Sequence, residues 1–441
     1  MKQAIPCLVL LAATACSAEV KYDQYGGTQS VRGKPKGVFS LAKLDDHWWL
    51  LTPDGNGFIS MGVVHILQGT TQSIFQTKYN GSDARYGYVD DAAKNLKAWG
   101  FNSAGYQSTG KTNVEMAKYL PFMVSIEVLF TSRWRGDKFH YDDVFDPAWQ
   151  RKATKEIGQF CQPVRGHKNL IGYYITDIPC WSLRKVEGHP DWLGYYRSLP
   201  ANTPGKQRYI AYLVERLGSV EAVAARYGVT AASDKALQAI VDWPIDAADA
   251  AILADDEAFL GLIAKEYYRI CHAAIRQNDP NHLFFGDRYY DIDIPESVLR
   301  AALPYVDGIA IQPSGKEQFN RARFDHVYAL ADKPIIICDW AYSFPTLEHP
   351  KVMWVSFKTE DAAADAYETF LNDAFATPYI LGVHRCTYID LLRPTNVLKQ
   401  GLIREDGTPY ETTVKRYAEI HRKLYERVYA NRLPVSGKGK R

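Results

Sequence analysis

The chain has 441 residues, enough for one large domain or two to three ordinary ones. Its 52 basic and 50 acidic residues leave a formal net charge of +2, which argues against a nucleic-acid partner recruited by bulk charge. The 29 Tyr, 18 Phe and 10 Trp suit a large core first, and also suit ring platforms for sugars.

Residues 1–18 read as a signal peptide. Lys2 gives a positive start, and the apolar run Ala4–Ala15 is too short to span a bilayer as a helix. Ala13-Thr14-Ala15 before Cys16 fits a small-residue cleavage site or a lipoprotein box. The expectation is an exported protein: periplasmic, secreted, or an outer-membrane lipoprotein attached to the membrane through a lipidated Cys16. Beyond Cys16 stand Cys161, Cys180, Cys271, Cys338 and Cys386, too few and too scattered for a disulfide framework. No close His/Cys spacing of a zinc site occurs, so neither a metal nor another cofactor is expected. Alternation along the strand around Cys338 aims its thiol into the helix layer, away from Asp339.

Residues 19–45 read as a polar leader. From Asp46 to Val64 a hairpin is expected, with the turn PDGNG between HWWLL and FISMGVV. Its second arm is the first of eight strand candidates and ends at His65. The others are Phe101–Gln107, the LPFMVSIEV run with Glu127, Leu170–Ile175, His282–Tyr290, the VDGIAIQPSG run with Gln312, Lys333–Tyr342 and Tyr379–Tyr388. Helical segments alternate with them, including Asp90–Trp99, Pro147–Phe160, Glu257–Gln277 and Tyr410–Ala430. An insertion at about 182–254 follows the fourth strand. Its aromatics Trp192, Tyr195 and Tyr196 either line a cleft or anchor the insertion. The prediction is therefore an α/β chain with one (β/α)8 TIM barrel over 46–430, a helical insertion after strand 4, and a basic tail over 431–441.

In such a barrel the C-terminal strand ends carry the chemistry. Here they offer His65, Tyr106, Gln107, Glu127, Asp177, Asp287, Arg288, Gln312, Asp339, Trp340, His384 and Arg385. No nucleophile elbow and no rim lysine stand among them. Carboxylates with aromatics and amides match glycoside hydrolysis, in which one acid protonates the leaving oxygen and the other attacks or activates water. Asp177 and Asp339 are the catalytic pair on this reading, and the other ten residues contact substrate.

The runs WWLLTPDGNGFISMG, NLKAWGFNSAGY, PNHLFFGDR, PYVDGIAIQ, KPIIICDWAYSF and ILGVHRCTYID resemble the family 50 glycoside hydrolases, β-agarases on a (β/α)8 barrel. The resemblance runs from about Asp46 to Tyr425 and implies hydrolysis of β-linked galactans. The family's nucleophilic Glu after the seventh strand corresponds to Asp339. Its acid/base Glu after the fourth strand corresponds to Ile178, and Asp177 stands where the family has Asn. The arginine after the fifth strand is kept as Arg288. Two shortened acids widen a carboxylate pair from about 5.5 Å toward about 8 Å, the spacing that admits a water and inverts the sugar. One assignment makes Asp177 the acid and Asp339 the base. The other gives Asp177 to the sugar 2-hydroxyl, with Glu127 as the acid. A carbohydrate-binding pseudoenzyme that retains the cleft is the alternative to an enzyme.

Overall fold

The computed structural model describes residues 20–71, 78–79, 84–107, 114–183, 185, 188–246, 248–292, 294–315, 318–352, 355–392 and 397–431. Residues 1–19, with Cys16 and the expected signal peptide, and residues 432–441 of the basic tail lie outside them.

Eight strands close into a parallel barrel: β1 (Ser60–Val63), β2 (Ser103–Ala104), β3 (Phe122–Ile126), β4 (Leu170–Asp177), β5 (Leu283–Tyr290), β6 (Ile309–Gln312), β7 (Ile335–Trp340) and β8 (Ile380–Arg385). β8 pairs with β1, His384 against Gly62, and that pairing closes the ring. All eight fall on the strand candidates, and nearly all their residues are buried, as a sheet covered on both faces requires. Outer helices follow, among them Ala84–Ala98, Pro147–Cys161, Ala250–Asn278, Arg321–Ala331, Glu360–Phe375 and Glu411–Asn431. Between β2 and β3 the described residues include a 3-10 turn, Val114–Lys118.

The stretch 19–45 is more than a leader. Thr28–Arg32 and Ser40–Leu44 join His47–Leu51 and Asn56–Phe58 in a four-stranded antiparallel sheet. Phe39, Leu50 and Phe58 share one apolar cluster with Met123, Ile171, Phe285, Ala310 and Ile336, the side chains that fill the barrel. The small sheet therefore plugs the lower end, opposite the rim where the strands terminate. The sequence of 19–45 hid this, because its inward residues are few and separated by polar ones.

The insertion carries four short helices, Trp192–Ser198, Pro204–Leu217, Val220–Tyr227 and Asp234–Ala239, before the long helix begins at Ala250. Asp249 caps that helix by accepting from the Ala251 and Ile252 amides. Trp192 stacks on Trp181 at 4.9 Å, and Tyr196 packs against Phe145 and Phe259. Both are fully buried, so they anchor the insertion. Tyr195 is half-buried beside Tyr141.

Strict alternation fails at the upper end of β5. Phe285 points into the barrel, yet so does Arg288, with Gly286 and Asp287 between them. Gly286 adopts φ +70°, a left-handed conformation that costs glycine little. It makes a bulge that turns Asp287 outward and Arg288 inward. A Cβ on Gly286 would also meet Val306 Cγ1 at 2.9 Å. Gly286→Ala is predicted to lower stability by about 1–3 kcal/mol, measured by urea unfolding, and to weaken the site that Arg288 organises. An unchanged unfolding midpoint would remove the bulge from the account.

Candidate active site

Arg288 is the hub. It is fully buried, with its guanidinium carbon 3.4 Å from the Tyr106 ring centroid. Nη1 donates to Ser125 Oγ at 2.6 Å, and Nη2 lies 2.9 Å from Asp177 Oδ1 and 3.7 Å from Glu127 Oε1. One arginine thus ties together residues from β3, β4, β5 and the end of β2. A buried guanidinium without such partners would be prohibitively costly.

Glu127 follows β3 and has a side chain only 5 % exposed. One oxygen accepts from Arg135, and the other accepts from the Asp177 amide at 3.2 Å. Burial pushes its carboxyl up to about 7, Asp177 adds to the rise, and Arg288 and Arg135 oppose it. Asp177 is more open, at 15 % side-chain exposure.

Asp339 stands across Tyr106 from this group. It is 8 % exposed, and its Oδ2 accepts from the Tyr106 hydroxyl. Among the described residues its Oδ1 accepts no N–H or O–H, and the Cys386 thiol lies against the carboxylate. The backbone at Asp339 is left-handed, φ +52°, as it is at His65 (φ +57°) and Ile178 (φ +34°). Three non-glycine residues in this region at one barrel rim are the mark of a site whose geometry is held by its surroundings. At Asp339 the turn breaks alternation. Cys338 belongs to the cluster that fills the barrel, so its thiol faces inward and not into the helix layer as expected.

The remaining strand-end residues divide. Gln312 is buried with its Oε1 unpartnered, and follows inward-facing Ala310 by two residues. The half-buried His65 ring meets Tyr106 edge-on at 4.8 Å. His384 lies deeper, fully buried, with Nε2 2.9 Å from Ser60 Oγ. Burial pushes its imidazole down to about 3, so it is neutral at working pH. A Cβ on Gly62 would meet this ring at 2.5 Å, so that glycine makes its room.

Four expectations need correction. Asp287 accepts from Tyr267 at 2.8 Å, Tyr268 at 2.6 Å and Trp181 at 2.9 Å, all on the outer side of the strand, so it ties β5 to the helix layer. Trp340 also faces outward and stacks on Phe370 at 3.9 Å. Arg385 donates to the carbonyls of Thr387 at 2.9 Å and Gln400 at 2.6 Å, which clamps the loop after β8. Gln107 accepts from the Leu67 amide at 2.7 Å and donates to the Tyr106 carbonyl at 2.9 Å, so its amide is spent on the loops. Sequence reasoning missed Ser125, although its place two residues before Glu127 on one strand put both on the same face. It also missed Arg135, and Cys386 beside Asp339.

Tyr106→Phe removes the hydroxyl from a buried carboxylate. A loss of about 1–3 kcal/mol in unfolding free energy is predicted. Wild-type stability in that variant would show that Asp339 does not depend on Tyr106.

No known protein-family profile matches the chain. β-Agarase B of Vibrio sp. (strain JT0107) is 23 % identical, with 91 % of this chain and 50 % of that protein covered. β-Agarase A of the same strain is also 23 % identical, with 83 % and 44 % covered. The chain thus spans about half the length of these curated relatives. Among solved structures, an agarase, AgWH50C, superposes with TM-score 0.81 at 18 % identity, covering 92 % of this chain and 68 % of that one. An exo-β-agarase superposes with TM-score 0.80 at 17 % identity, covering 93 % and 68 %. In sequence and in fold alike, the chain is β-agarase-like and resembles the family 50 glycoside hydrolases.

Proposed function

We propose that the chain is a glycoside hydrolase that cleaves β-linked galactans of the agarose type or their oligosaccharides. The observation that carries this reading is the pair Glu127 and Asp339, set on either side of the Tyr106–Arg288 stack at the barrel rim. The likeness to β-agarases supplies the substrate class.

In this reading Glu127 is the general acid. A carboxyl held up to about 7 carries a proton near neutrality and releases it to the leaving glycosidic oxygen. Asp339 takes a proton from water with its unpartnered oxygen, and that water attacks the anomeric carbon. Water adds across the broken bond, and the two acids exchange protonation states before solvent resets them. Asp177, engaged by Arg288, holds a sugar hydroxyl and is not the proton donor. Gln312 Oε1 and His65 offer further polar contacts. Trp134, 52 % exposed beside Arg135, offers a ring face to a neighbouring sugar unit. Export follows from residues 1–18 as an expectation of the sequence. Among the described residues no helix is long and apolar enough to cross a membrane.

The test is hydrolysis of agarose-derived oligosaccharides across pH. The proton of Glu127 is lost as pH rises through its raised value, so kcat/KM should fall on an alkaline limb near 7. Glu127→Gln should lower kcat by about 10²–10⁴-fold and abolish that limb. A limb that persists in Glu127→Gln would return the acid role to Asp177. The first-formed product, followed by NMR, should have inverted configuration, because the short Asp339 side chain leaves room for water; retention would replace water activation with direct attack.

A further inference from the structure

We propose that His65, Asp339 and Cys386 form a binding site for a zinc-like divalent cation. The three residues end β1, β7 and β8, which are neighbours in the barrel. One imidazole nitrogen, one carboxylate oxygen and the Cys386 sulfur all lie within 4.8 Å of one another. Ligand atoms around tetrahedral zinc stand roughly 3.3–3.8 Å apart, given bonds of about 2.0–2.3 Å, so small side-chain rotations close the set. The left-handed backbone at both His65 and Asp339 breaks strand alternation at two of the three ligand positions.

A second observation points to a ligand. Asp339 is more than nine-tenths buried, yet among the described residues its Oδ1 accepts no N–H or O–H. The other ligands' surroundings fit coordination. Tyr106 donates to the second Asp339 oxygen and packs against the His65 ring. Gln400 Nε2 donates to the Cys386 sulfur at 3.1 Å. Such outer contacts orient metal ligands and tune them. A thiolate and a carboxylate together match the charge of a divalent ion. The sulfur and nitrogen select zinc, cobalt or cadmium over magnesium or calcium. Binding replaces the thiol proton, which leaves to solvent, with a metal–sulfur bond. The short-range spacing of the sequence hides this site because its ligands come from three separate strands.

The site stands independently of the glycosidase reading. Where that reading holds, a bound cation withdraws Asp339 from water and sugar, so metal and substrate exclude each other.

Titration of the full chain with cobalt(II) tests the proposal without an activity readout. An equimolar complex is expected, with intense tetrahedral d–d bands and a thiolate-to-cobalt charge-transfer band. Cys386→Ser should lose the charge-transfer band. His65→Ala, at a half-exposed rim position, should weaken binding by at least about tenfold. Absence of a tetrahedral spectrum in the wild type would overturn the site, as would a charge-transfer band that survives Cys386→Ser.

Discussion

The upper barrel depends on the desolvation of one guanidinium. Arg288 is removed from water at the end of β5, and the chain meets that cost with Asp177, Ser125, Glu127 and the face of Tyr106. The partners come from β3, β4 and the end of β2. The arginine therefore fixes the relative height of four strand ends, and the acids inherit that alignment. Tyr106 extends the link to Asp339 through its hydroxyl. Remove the guanidinium and Asp177 loses its ion-pair partner, while Glu127 keeps Arg135.

The same arrangement divides the work between the carboxylates. Glu127 is buried against a second acid, which is the environment that keeps a proton near neutral pH. Asp339 receives one hydrogen bond and keeps one oxygen unpartnered. Two acids in unlike settings are what acid and base roles require. In the proposed function the proton donor is therefore carried by the strand next to Ile178.

The barrel was legible because each strand is a short apolar run set off by turn residues, as in Leu170–Ile175 and Ile335–Ile337. What alternation could not supply is the direction of side chains at the rim. Gly286 and Asp339 each insert a left-handed residue, and every outward or inward assignment beyond them changes. That is why Asp287 leaves the site and why Trp340 packs on Phe370, whereas Cys338, two residues after inward-facing Ile336, keeps the alternation and so enters the barrel. Arg385 was misplaced for a different reason: an arginine that binds carbonyls of its own loop has the same local sequence as one that binds a sugar. The part of the lower plug that lies in 19–45 was missed because it gives that apolar cluster only Tyr25 and Phe39, with Leu41 partly buried against it, in otherwise polar sequence.

The central claim is that the cleft around Arg288 binds a galactan and that Asp339 turns it over. The most direct measurement pairs calorimetric binding of agarose-derived oligosaccharides with product release, for the wild type and Asp339→Asn. The account predicts that both bind with similar affinity and that only the wild type releases product at an appreciable rate. Equal binding with no turnover by either would contradict it and leave a carbohydrate-binding barrel in its place.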